Sequence, residues 1–373
     1  MGVVQMQWNV VIRIAGALAI ALAVQHVSAC ADKPNQSDGD AKRFSVQLDG
    51  WLTKTKVASA SVAVVRDGRL AFVAAAGHAS PERAASPETL YNVASLAKPL
   101  TAEMSLRLLH DRHWSLDEPL DTWWVDPDIA DDPRAKQLTA RILLSHQSGF
   151  PNWRDGRLAF AFAPGTRFGY SGEGYEYLAR ALAARAGSGF ESLMTKTVLE
   201  PLGMRRTVQT KQPWLHDQFA IPYDAEGHPM PPQFARSASA ADDLYTTATD
   251  YAQLILSAMQ GSGISKSLSA ARQDIQVDRL HDLCGDRAPS RCPSAAGFGL
   301  GWEIFKIGNQ RYLMHTGRDT GTFALAYFSP ERQTGVVILT NSDQGAAVVL
   351  PILDHLALDP AFTDWLRELA SGP

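Results

Sequence analysis

Metal-ligand spacing is missing from this chain, which holds no HExxH, no CxxC and no cluster of histidines and cysteines. That removes the readable zinc and iron–sulfur signatures. There is no glycine-rich phosphate loop of Walker or dinucleotide type and no internal repeat, and GYSGEG misplaces the last glycine of GxSxG. An α/β-hydrolase nucleophile elbow is thereby disfavoured, and neither a metal nor an organic cofactor is expected. Charge of one sign is also scarce. A net charge of -4 over 373 residues gives no electrostatic ground for nucleic acid or an anionic membrane surface as partner. Apolar content of 45% and charged content of 20% describe a soluble globular protein.

The N-terminal apolar run, Ile14 to Val24, follows Arg13 and is too short to span a bilayer. It suits the h-region of a secretory signal, which predicts a signal peptide over residues 1–29. Gln25 and His26 interrupt the run and count against an uncleaved anchor. The ending VSAC resembles a bacterial lipoprotein signal with Cys30 as the lipidated first residue; ordinary cleavage within SACAD is the alternative. Either way the mature chain is exported, and the periplasm with a lipid anchor to the membrane is the expected location. Only 3 cysteines occur. With Cys30 lipidated or removed, Cys284 and Cys292 remain, bracketing CGDRAPSRC, a loop that could close a disulfide in an oxidising compartment. Two free thiols are the competing state.

What the chain does contain is alternation of element types. Residues 30–40 are polar without period and read as a tether. A helical pattern from Lys42 carries Phe44, Leu48, Trp51 and Leu52. SASVAVVRDGRLAFVAAAGH gives two β-type runs joined at Asp67-Gly68, a hairpin signal. Helical segments dominate from Asp117 to Gly261, and strand signals resume at FGLGWEIFKIGNQRYLMHTG and TFALAYFSPERQTGVVILTN. Strands at both ends with helices between them predict an α/β (α+β) fold. Its antiparallel sheet is flanked by helices and completed by both termini. The expected division is an α/β domain of 41–116 and 297–373 with a mainly helical insertion, 117–296. A cleft between such lobes is a frequent ligand site.

The stretch YNVASLAKPL places Ser95 and Lys98 one helical turn apart in an apolar setting. An unpaired ammonium there costs several kcal/mol to desolvate. On a helix, positions i and i+3 share a face. A lysine whose pKa is lowered by burial can take the proton of a neighbouring serine hydroxyl. On its own the pair equally describes a capping serine and a snorkelling lysine, since chance yields on the order of 0.7 S-x-x-K matches in such a chain.

The context is more specific. LYNVASLAKPLTAEM, LTARILLSHQSGFPNW, YSGEGYEYLARAL, LEPLGMRRT, LYTTATDYAQL, GFGLGW and HTG occur in order over some 280 residues. Together they resemble the serine hydrolases of the β-lactamase and penicillin-binding-protein superfamily, nearest to class C β-lactamases, D-aminopeptidases, D,D-carboxypeptidases and related esterases. The resemblance implies Ser95 as nucleophile, Lys98 as its lysine, and Tyr170-Ser171-Gly172 at the Y-x-N motif. His315-Thr316-Gly317 stands at K-T-G, on a strand bordering the cleft. Tyr170 would work as a phenolate stabilised by the Lys98 ammonium. The backbone N–H groups of Ser95 and Arg318 would form an oxyanion hole. His315 and Thr316 would meet the substrate's polar or anionic end, and Gly317 would let two backbones approach.

Two departures bear on the substrate. Gly172 removes an amide, and His315 substitutes a group half charged near pH 6.5 for a permanent cation. Both weaken a fixed carboxylate site. The expected activity is therefore ester or amide cleavage through an acyl-enzyme, on a small-molecule or peptide substrate. A D,D-carboxypeptidase or β-lactamase, and a non-catalytic sensor module, are the alternatives. His146 reads as a helix-end hydrogen bonder, and Trp123, Trp124 and Trp153 either line the cleft mouth or pack the insertion, with packing favoured.

Overall fold

The Asp67-Gly68 pair does what its composition predicts. Both residues take left-handed backbone, φ 50° and 65°, and the two-residue turn joins β1 (Ser59–Arg66) to β2 (Arg69–Ser80). This computed structural model describes residues 36–215 and 218–371. The signal peptide, Cys30 and residues 31–35 lie outside the described residues. Residues 36–40 do not form a tether: α1 runs Gln36–Thr55 and includes them, its hold on the sheet coming from Phe44, Leu48 and Leu52, all buried.

The remaining strands are β3 (Arg83–Ala84), β4 (Tyr91–Asn92), β5 (Tyr245–Thr246), β6 (Val277–Asp278), β7 (Ala295–Phe298), β8 (Glu303–Ile307), β9 (Gln310–Asp319), β10 (Thr322–Ser329) and β11 (Thr334–Thr340). Nine of them form one sheet in the order β3-β2-β1-β11-β10-β9-β8-β7-β6, while β4 and β5 pair separately. Each pairing in the nine-stranded sheet is antiparallel. β1 sits beside β11, so chain segments from the two ends of the sequence close the sheet's centre.

Period-two alternation assigns the sheet its two faces. Val336, Ile338, Phe323, Leu325 and Tyr327 face one core; Val337, Leu339, Ala324, Ala326 and Phe328 face the other. Over the first face lie α1 and, later in the chain, two C-terminal helices whose buried side chains include Val349, Ile352, Phe362 and Trp365. Against the second pack α2 (Ala97–Asp111), α3 (Ala140–Leu144), α4 (Gly172–Ala186), α5 (Phe190–Met194) and α6 (Ala248–Gln260). Cys284 and Cys292 are joined as a disulfide with Cα atoms 6.1 Å apart.

One register detail positions the site. β9 pairs with β8 only through residues 310–314, whereas its pairing with β10 continues to Asp319. Residues 315–319 thus present a sheet edge beyond the end of β8, and against that edge the chain places the turn Ala94–Leu96 that leads into α2.

Candidate active site

Ser95 lies in the 3₁₀ turn Ala94–Leu96. Ala94, just before it, has φ 45°, a left-handed backbone that costs alanine roughly 1–2 kcal/mol. Such strain persists where surroundings over-determine it. Here the Asn92 Oδ1 accepts the Ala94 N–H at 2.8 Å and the Tyr251 hydroxyl donates to the Leu96 carbonyl at 2.9 Å. Gly317 of β9 closes the other side. A Cβ at that position would stand 2.0 Å from the Val93 carbonyl oxygen and 3.1 Å from the Leu96 nitrogen, so only glycine lets strand and turn meet.

Lys98, in the first turn of α2, is fully buried. Its Nζ donates to Ser95 Oγ and to the Ala241 carbonyl, each at 2.9 Å, and lies 4.8 Å from the centre of the Tyr170 ring. The segment just before that carbonyl is held from two helices: Thr101 Oγ1 donates to the Ala240 carbonyl, and Glu176 accepts from Ala240 N–H and Ser239 Oγ. Among the described residues no carboxylate forms an ion pair with Lys98. Burial pulls its pKa down from 10.5 to about 8, opposed by the more distant negative charges of Asp242 and Glu176.

Tyr170 is brought in by an extended stretch that leads into α4, whose N-cap is Ser171 at φ -146°. Burial raises the phenol to about 12, with a hydrogen bond to Ser95 pulling the other way. The free site at neutral pH thus holds a neutral phenol, not the phenolate expected beside an ammonium.

His315 also differs from expectation. It is buried, and burial together with the Lys98 charge lowers its pKa to about 3. The imidazole is neutral instead of half charged; its Nδ1 lies 2.7 Å from the Thr316 carbonyl oxygen. Along β9, Gly317 is buried like His315, while Thr316 and Arg318 are exposed, and the Arg318 guanidinium lies 5.4 Å from the Phe323 ring centre. The turn faces Gly317, so the Arg318 cation projects from the opposite side of the strand.

His146 is the helix-end hydrogen bonder its sequence context suggests, but its place against Tyr170 is not legible there. It follows α3 at φ 58° and its Nδ1 accepts the Ser171 N–H at 3.0 Å. It is fully buried, with its ring centre 4.3 Å from that of Tyr170 and 4.6 Å from Phe298. The imidazole is a platform beneath the phenol, held neutral by burial and by the Lys98 charge. Trp153 departs from the favoured packing role: it is 46% exposed, and its ring fills the space beside Gly172, where a Cβ would come within 2.7 Å of the indole. Only contacts between distant chain segments create these two placements.

Among the described residues, Asp242, Asp243 and Asp319 bring carboxylate oxygens within 4.8 Å of one another. Asp319 is exposed. Burial raises Asp242 to about 6.

A strained turn presenting a serine, a buried amine bonded to it and a phenol beside both are groups of the kind that nucleophilic acyl-transfer chemistry uses. The chain belongs to the Beta-lactamase family, whose model matches residues 38–359. It is similar to the D-alanyl-D-alanine-carboxypeptidase/endopeptidase AmpH of Escherichia coli strain K12, with 24% identity over 338 residues covering 83% of this chain and 84% of AmpH. It is also similar to esterase EstB of Burkholderia gladioli, 29% identical over 226 residues, 51% of this chain and 56% of the esterase. A class C β-lactamase structure shares the fold, with a TM-score of 0.68 at 18% identity over 85% of this chain and 97% of that one.

Proposed function

We propose that the protein is a serine hydrolase that cleaves esters or amides through an acyl-enzyme. The observation that carries this reading is the 2.9 Å hydrogen bond from buried Lys98 to Ser95, made by an amine with a pKa of about 8 and no carboxylate partner among the described residues. The neutral amine takes the hydroxyl proton as Ser95 Oγ attacks the acyl carbon. The tetrahedral adduct is stabilised by the backbone N–H groups of Ser95 and Arg318. As the adduct collapses, the leaving group takes its proton from the Tyr170 hydroxyl, which is resupplied by the Lys98 ammonium. Water then repeats the sequence in reverse roles and frees the acid and the serine.

Neutral His315 supports ranking esters and uncharged amides above substrates that need a fixed carboxylate partner. We further propose export, with Cys30 as the lipid attachment point; the Cys284–Cys292 disulfide suits an oxidising compartment. Among the described residues no helix is long and apolar enough to cross a membrane.

The test is intact-mass labelling with a fluorophosphonate and with penicillin, alongside turnover of p-nitrophenyl acetate and nitrocefin. Wild type is expected to gain the phosphonyl mass and Ser95→Ala to gain none, with acetate hydrolysed faster than nitrocefin. Fast nitrocefin turnover overturns the substrate ranking. Absence of both labelling and turnover leaves a sensor module of the same fold.

A further inference from the structure

One large aromatic ring at the start of α4, Trp153, is 46% exposed. Gly172 opens that helix two residues after Tyr170, which reaches Ser95 and Lys98. Gly172 offers no side chain of its own, and the Trp153 indole takes the space. The Cη2, Cζ2 and Cζ3 atoms stand 2.7, 2.9 and 3.0 Å from where a Cβ would be. Glycine at 172 is therefore the condition for the ring's position.

The ring is also held. Asn152 accepts the Gly172 N–H through Oδ1 at 2.9 Å and the Glu173 N–H through its carbonyl at 3.0 Å. On the other flank Arg154 bonds Glu173 and Asp126, each at 2.9 Å. A tryptophan on a segment fixed from both sides loses little freedom when a ligand covers it. Its open face exposes apolar surface that water solvates poorly, and planar groups stack well on indole.

From these contacts we infer that Trp153 is the specificity-determining wall of the acyl pocket, selecting substrates whose acyl group carries an aromatic or flat apolar substituent. The position that could hold a polar amide at residue 172 is replaced by an aromatic surface. The recognised class shifts from groups that hydrogen-bond to groups that stack. This inference rests on the proposed reading of Ser95 and Tyr170 as the reacting centre.

Binding to Ser95→Ala protein, which cannot be acylated, tests the inference without turnover. Calorimetry with phenylacetyl-p-nitroanilide and acetyl-p-nitroanilide, which share a leaving group, is expected to give at least tenfold tighter binding of the former. Adding Trp153→Ala, or separately Gly172→Ala, whose methyl displaces the ring, is expected to bring the two ligands within threefold of each other. Adding Trp153→Phe is expected to keep most of the preference. Equal binding of both ligands to Ser95→Ala, or a preference that survives both Trp153→Ala and Gly172→Ala, overturns the inference. Turnover of the matching p-nitrophenyl esters by wild type is measured in parallel. A preserved aryl preference without turnover supports the wall and removes the hydrolase reading alone.

Discussion

Helix α2 carries buried cationic chemistry at two places, and the two are built in opposite ways. At Lys98 the ammonium has a serine oxygen and a carbonyl for partners and no ion pair among the described residues. One to two turns further on, Glu103 holds Arg107 and Arg272, each at 2.7 Å, and Ser257 Oγ, the Ser262 carbonyl and the Ala258 carbonyl take further guanidinium donors. Both places are shut off from water. The second gives its two cations a shared carboxylate and several oxygen acceptors, so it serves the fold. The first leaves its charge uncompensated, and a group that is costly to keep charged is one that readily gives up its proton.

The comparison breaks most visibly through Lys98→Met. Activity toward an ester is expected to fall about 10⁴-fold, the upper end of what a positioned acid–base group supplies. Because a desolvated amine is replaced by a thioether, thermal stability at pH 7 is expected to hold or rise. A large fall in melting temperature would place Lys98 with the structural charges instead. Glu103→Gln should do the reverse. It leaves two buried guanidinium groups without their carboxylate and is expected to cost about 3–5 kcal/mol in denaturant unfolding, while fluorophosphonate labelling of the folded fraction persists.

Linkage sharpens the contrast. The folded-state pKa of Lys98, about 8, lies below its ordinary 10.5. Between those values the unfolded chain binds the extra proton, so stability rises with pH across the window and is lost as pH falls toward 8. Relative to Lys98→Met, wild type is expected to gain about 3 kcal/mol between pH 8 and pH 10.5, read from urea melts. Parallel curves for the two proteins would refute the assignment. His315 acts in the acid range. With a pKa of about 3 against 6.5 when unfolded, it favours the folded state above pH 6.5 and loses that contribution on acidification. At pH 5 the loss is about 2 kcal/mol, and His315→Gln is expected to flatten the wild-type decline between pH 6.5 and 5 by that amount.

Local chemistry made much of the architecture readable. Asp67-Gly68 specifies its hairpin through two left-handed residues, and the unbroken apolar run in GVVILT declares a strand buried on both faces. Ser95 and Lys98 are visible because one helical turn separates them. Tyr170 could be placed with them only through resemblance, since no period links positions 75 residues apart. The rest depends on tertiary contact. Nothing around His146 announces that its ring will lie under a phenol, nothing in YSG reveals that residue 172 faces an indole, and the Glu103–Arg272 pair joins residues 169 apart. Charge states also escape a linear reading: burial pushes the Tyr170 phenol up and the His315 imidazole down, a property of the assembled core.

At Gly317 a single hydrogen atom separates the sheet edge from the Val93 carbonyl. The gap is dimensioned by main chain against main chain, and ordinary replacement of residues can neither widen it nor move it. Diversification has to act at the rim instead, where rings such as Trp153 can be exchanged without disturbing the seam.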